Sequence, residues 1–121
     1  MWRKPQPPAN TAATAESGTT EGLGPIELRE KRYAEFAKQA QRQQAAAEYA
    51  GLVKTCSRWA DEDWRNARAY YCWGLGLQAT GQHKQAIMMF NKAGSLLSRD
   101  DPMKSQIGDA VIKSFRAQNG R

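Results

Sequence analysis

The sequence predicts an all-α fold: antiparallel helix pairs behind an N-terminal tail. Three observations predict it. No stretch shows the period-two alternation of a half-buried strand. Residues 26 to about 60 are rich in Ala, Gln, Glu, Lys and Arg, all good helix formers. The punctuation that follows, Asp61-Glu62-Asp63, Thr80-Gly81 and Asp100-Asp101-Pro102, consists of helix stop and start signals.

Residues 1–24 contain Pro5, Pro7 and Pro8 in a mixture of Thr, Ala, Ser and Gly, with only Trp2 and Leu23 as large apolar groups. Such a segment buries too little surface to offset its ordering entropy, so a disordered tail is expected there, ahead of a helical domain over 25–121. The start Met1-Trp2-Arg3-Lys4-Pro5 leads into prolines and threonines, which does not match a Sec-type signal peptide. The Ala and Thr content suits an organelle-transit segment, but Glu16, Glu21 and the lack of further arginine argue against one.

Helices are expected near 26–45, 48–60, 63–79, 83–98 and 102–117. Gly24-Pro25 opens the first, since proline is tolerated at the first helical position. Glu27 and Lys31 support it at the favourable i, i+4 spacing. No Gly, Pro or Asn lies at 45–48, so one long helix over 26–60 is the alternative to two. Asp61 or Asp63 is the expected N-cap ahead of Trp64. Gly81 suits a left-handed residue after a helix end. Asp101 is the expected cap of the last helix, with Pro102 in its first turn.

Internal repetition is the most informative feature. With Ala67 as position one, Tyr70, Gly74, Gly81, Ala86, Phe90 and Ala93 fall at positions 4, 8, 15, 20, 24 and 27. Small residues at 8, 20 and 27 let two helices cross closely, aromatics at 4 and 24 fill the space around the crossing, and glycine at 15 makes the turn. A shift of 34 residues either way gives Ala40 and Gly108 at position 8, small in all three copies. The upstream copy departs from the pattern: Leu52 and Trp59 stand at 20 and 27, Cys56 at 24, and Ala47 where the turn glycine belongs. Ser98 stands at position 32, and the proline of this stretch comes later, at Pro102.

The segment 67–100 resembles the tetratricopeptide repeat (TPR) family. A degenerate helix pair over 33–66 precedes it and a closing helix over 101–117 follows. The resemblance implies a TPR-like α-solenoid fragment. Its core candidates are Phe36, Ala40, Leu52, Cys56, Trp59, Trp64, Ala67, Tyr70, Gly74, Leu77, Ala86, Ile87, Phe90, Ala93, Leu97, Ile107, Val111 and Phe115. In this family, peptides lie in a concave groove lined by positions 2, 5, 9, 12 and 13 of the first helix of each repeat. Those positions imply Arg68, Tyr71, Leu75, Gln78 and Ala79 in the clear repeat. They imply Ser105, Asp109, Ile112 and Lys113 in the closing helix, and Ala37, Gln41 and Gln44 upstream. The family's carboxylate clamp needs Lys and Asn where this chain has Ala37 and Gln41, or Tyr71 and Leu75, so chaperone tails are not implied partners.

Charge and chemistry narrow the function classes. The net charge is +6, with the excess in 25–121 and no run of three basic residues. Charges so interleaved read as solvated helix faces more than as a nucleic-acid footprint. Mean hydropathy is −0.76, and no apolar stretch approaches the roughly 20 residues a membrane helix needs. Two cysteines and one histidine offer neither a disulfide scaffold nor a zinc ligand set. Cys56 and Cys72 read as reduced, partly buried thiols, which fits a cytoplasmic location. Asp61-Glu62-Asp63 reads as a helix N-terminus stabilised by negative charge, and His83 as a solvent-facing turn residue.

No cofactor, metal or catalytic constellation is therefore expected, and an enzyme is not. The resemblance implies a non-catalytic adaptor or small chaperone holding a peptide or helix of a partner protein. Small repeat-built chaperones of bacterial type III secretion match in size and helicity, but they tend to be acidic where this chain is basic. The alternatives are a structural subunit of a larger assembly and a basic nucleic-acid-binding helical protein.

Overall fold

The computed structural model describes residues 24–119. Apart from Gly24, the tail expected to be disordered lies outside the described residues. Every regular element within them is an α-helix: α1 (Pro25–Ala45), α2 (Tyr49–Glu62), α3 (Ala67–Ala79), α4 (His83–Ser95) and α5 (Met103–Asn119).

Two units are distinguished, Met1–Arg32 and Tyr33–Arg121. The described part of the first is the opening of α1. There Leu28 N–H donates to the Gly24 carbonyl at 3.0 Å, and Glu27 sits in the first turn, where negative charge suits the helix dipole. The second unit holds both apolar clusters.

Within Tyr33–Arg121 each helix runs antiparallel to the next. Tyr33 Oη donates to the Glu62 carbonyl at 2.9 Å, while the Gln43 side chain lies beside Gly51, so the ends of α1 and α2 meet in reverse order. Between 26 and 60 there are two helices, not one. The break is a left-handed residue, Ala47 at φ 59°. The following turns bond in a repeating way. Ala47 N–H donates to Gln44 O and Glu48 N–H to Gln43 O; Gly81 N–H donates to Gln78 O and Gln82 N–H to Leu77 O. Both are Schellman turns, which satisfy carbonyls that a helix end leaves open. Ala47 stands where the repeat calls for glycine, so the backbone adopts the turn despite the Cβ.

The first cluster joins Ala40, Leu52, Cys56, Trp59, Ala60, Ala69 and Cys72, with Tyr33, Phe36 and Ala37 packed against it. The large residues at the upstream positions 20 and 27 are accommodated by alanines on the facing helices, Ala37, Ala40 and Ala69. The second cluster joins Ala67, Leu77, Ala86, Phe90, Ala93, Ile107 and Ala110. At its centre Gly74 admits Phe90: a Cβ on Gly74 would lie 2.5 Å from the ring. On the other side of α3, Gly76 does the same for α2: a Cβ there would lie 2.7 Å from Val53 Cγ2 and 3.3 Å from Tyr49 O.

Several expectations are corrected. Cys56 and Cys72 are not free thiols; a disulfide joins them and ties α2 to α3. The hairpin geometry explains the pairing: Trp64 lies midway between them, so folding α3 back on α2 sets them level. Trp64 is not core. It is 59 % exposed at the bend, with the Arg65 guanidinium 5.1 Å from its ring centre. Phe115 is 58 % exposed, on the face of α5 turned from the core. The acidic run 61–63 sits at the C-terminus of α2, not at the N-terminus of α3. The cap of α3 is Asn66, whose Oδ1 accepts from Arg68 N–H at 2.9 Å and whose Nδ2 donates to Asp63 Oδ2 at 2.8 Å. Asp101 takes its expected place, accepting from Met103 N–H at 2.9 Å.

Candidate functional site

A concavity on the Tyr33–Arg121 unit follows from the helix order. Alternate helices α1, α3 and α5 share one side of the Tyr33–Arg121 unit, and residues one turn apart on them face a common groove of about 430 Å³. Ala37, Gln41 and Gln44 of α1 form one wall; Arg68, Tyr71 and Leu75 of α3 form the floor; Met103 and Gln106 of α5 form the other wall. Trp59 and Cys72 close it from beneath.

Local structure sets each side chain. The Asn66 cap starts α3 one residue before Ala67, which turns Arg68, Tyr71 and Leu75 to the groove at helical spacing. The Tyr71 ring rests against Phe90, with centroids 5.8 Å apart, so its position is fixed by the core beneath. Burial raises the Tyr71 hydroxyl above the ordinary tyrosine pKa, and the nearby Asp109 carboxylate adds to that. Arg68 is the only charged side chain among the described lining residues. Trp59 is buried, and its indole Nε1 has no hydrogen-bond partner among the described residues.

The residues expected from position alone divide into three sets. Arg68, Tyr71 and Leu75 come together with Ala37, Gln41 and Gln44 on the groove. Gln78 is engaged elsewhere: its Nε2 donates to the Ala110 carbonyl at 2.9 Å and to Ser114 Oγ at 2.8 Å, pinning α5 to α3. Asp109 reaches the groove electrostatically through Tyr71, whereas Ser105, Ile112 and Lys113 are exposed on α5 outside the lining. Ala79 is exposed at the end of α3 and is also outside it.

Met103, Gln106, Trp59 and Cys72 are lining residues that position counting misses. The first two lie on the groove-facing side of α5 at its start, and a helical wheel of 102–117 drawn against the α3 floor would have shown them. His83 is also corrected. It is half-buried, with Nδ1 3.2 Å from the fully buried Ser114 Oγ, and so joins the Gln78–Ser114 junction where α3, α4 and α5 meet.

Chemically the groove offers apolar contact from Leu75, Met103 and the Tyr71 ring, amide donors and acceptors from three glutamines, and one cation. Among the described residues no group of three His, Cys, Asp or Glu is placed to hold a metal ion. No described helix is long and apolar enough to cross a membrane. Set against known protein families, characterised proteins and solved structures, the chain matches none of them.

Proposed function

We propose that this chain is a non-catalytic protein-binding adaptor or small chaperone, built on TPR-like helix pairs, that holds a peptide or helix of a partner in the α1–α3–α5 groove. The observation that carries this reading is the convergence of Arg68, Tyr71 and Leu75 with Gln41, Gln44 and Gln106 around one concave surface. The mixture of apolar anchors, amide groups and one cation suits a polypeptide with an apolar side chain and an acidic group. Equal turns at Ala47 and Gly81 support the TPR-like reading of the scaffold. The Cys56–Cys72 disulfide favours work in an oxidising compartment over the cytoplasm expected from free thiols.

Display selection of random peptides on the full chain tests the proposal. Selected peptides should bind Tyr71→Ala and Leu75→Ala at least about tenfold more weakly, a loss of about 1.4 kcal/mol. Arg68→Gln should weaken only those carrying an acidic residue. Failure to select any peptide, or binding unaffected by these changes, counts against the groove. Affinity for nucleic acid that falls steeply with salt would favour the basic nucleic-acid-binding alternative instead.

A further inference from the structure

We propose that the outer face of α5 is a self-association surface, through which two copies of this chain pair helix against helix, antiparallel and two-fold symmetric. Gly108, Ile112 and Phe115 lie on one side of α5 by their spacing, away from the buried Ile107, Ala110 and Ser114, while Val111 at the edge of that side packs against the core. Phe115 is 58 % and Ile112 49 % exposed there. A Cβ on Gly108 would meet nothing within 4 Å, so this face carries a notch and, two turns along, a projecting ring.

The chain itself shows what such a notch accepts. One period earlier, Gly74 of α3 receives the Phe90 ring of its antiparallel neighbour α4. Among the described residues Gly108 has no such neighbour. An antiparallel pair of α5 helices that cross between Val111 and Ile112 places Phe115 of each copy level with Gly108 of the other, because the two residues are equally far from the crossing. One two-fold operator then fills both notches, as an isologous contact requires.

Charge complementarity agrees with shape. Asp109 and Arg116 lie on the same flank of the stripe, and in an antiparallel pair each flank meets its own counterpart. The crossing that seats Phe115 sets Asp109 of one copy within one turn of Arg116 of the other, twice over, with opposite signs. Lys104 falls level with the neutral Asn119. A face that complements itself in both shape and charge selects a second copy of the chain over an unrelated helix. Met103 and Gln106 are the α5 residues that line the groove, and neither Gly108 nor Phe115 is among its lining, so the two proposals are tested at different residues.

Sedimentation velocity on the full chain over a wide concentration series tests this. The expected result is a monomer–dimer equilibrium. Phe115→Lys and Gly108→Leu should each weaken it at least about tenfold with helicity unchanged, since one side chain projects outward and the other enters open space. Met88→Lys, an equally exposed site on α4, should not affect it. Ile112→Cys should give a disulfide-linked dimer on mild oxidation, because the two Ile112 positions flank the axis and the native cysteines are already bonded. A monomer at every concentration, a dimer that survives both substitutions, or failure of Ile112→Cys to link would each overturn the proposal.

Discussion

Ala47 and Gly81 occupy the same point of two successive turns, 34 residues apart, with φ of 59° and 84° and the same pair of backbone hydrogen bonds. Only one of them is a glycine. A left-handed conformation crowds the Cβ of an L-residue against its carbonyl and costs about 1–2 kcal/mol, part of which glycine returns through its greater freedom in the unfolded chain. Ala47→Gly is therefore expected to raise stability by about 0.5–1 kcal/mol. Gly81→Ala, where no atom lies within 4 Å of the added Cβ, should lower it by about 1 kcal/mol through backbone strain alone. Urea unfolding at equilibrium distinguishes the two by opposite shifts of midpoint with unchanged slope.

Position eight of the period behaves differently in successive copies. Gly74→Ala forces a methyl to 2.5 Å from the Phe90 ring and should destabilise by about 1–3 kcal/mol, as overpacking does. Trimming the ring with Phe90→Leu should relieve that clash, so the double variant should lose less than the sum of the two single changes. A coupling energy near zero in the double-mutant cycle would contradict the packing described. Gly108→Ala, with nothing within 4 Å in the single chain, should instead stabilise α5 of the monomer by about 0.5–1 kcal/mol, because alanine is the better helix former.

These contrasts show what the sequence makes legible. The period is visible because close helix crossings demand small residues at fixed intervals, so Gly74, Ala86 and Ala93 announce both the helices and their pairing. The break at Ala47 falls where helices over 26–45 and 48–60 are expected to part, but no Gly, Pro or Asn marks it, because its turn is imposed by the packing of α2 on α1. Likewise the Asn66 cap is masked by three acidic residues that look like better candidates but end the preceding helix. On the groove, one-turn spacing finds Arg68, Tyr71 and Leu75, since α3 is the helix whose frame is fully set by the repeat. It fails on α5, where Ile112, expected in the groove, and Phe115, expected in the core, are both exposed. There a last helix, packed on α4 and α3 along one side only, leaves its apolar residues undecided between core and surface.

The Cys56–Cys72 disulfide links helices whose other contacts are already tight, and its chief effect is on the unfolded chain. A loop with a sequence separation of 16 is constrained by about 3 kcal/mol in the chain-entropy account. Cys56→Ala with Cys72→Ala should therefore lower unfolding stability by about that amount, plus a smaller packing loss, while leaving the helical signal of the native state in place. The bond itself is checked by a thiol-reactive dye, which should label no cysteine in unreduced, denatured protein.

Stability at high pH should respond to Tyr71 in particular. Burial first, and the Asp109 carboxylate second, hold its hydroxyl pKa above the ordinary tyrosine value, so the folded chain keeps the proton that the unfolded chain releases. Between the two pKa values the native state binds more protons, and the linkage relation makes stability fall as pH rises. The contribution is complete below the unfolded tyrosine pKa and is lost as pH climbs through the folded one. Tyr70 adds in the same direction, through burial and then Asp61 and Asp63. Tyr71→Phe cannot ionise, so its stability should decline less steeply in alkaline solution than that of the parent chain. Asp109→Asn should reduce the steepness by a smaller amount, because it removes only the second cause. Urea midpoints taken across the alkaline range read both effects; parallel profiles for all three proteins would mean that Tyr71 is not held by its surroundings in the way described.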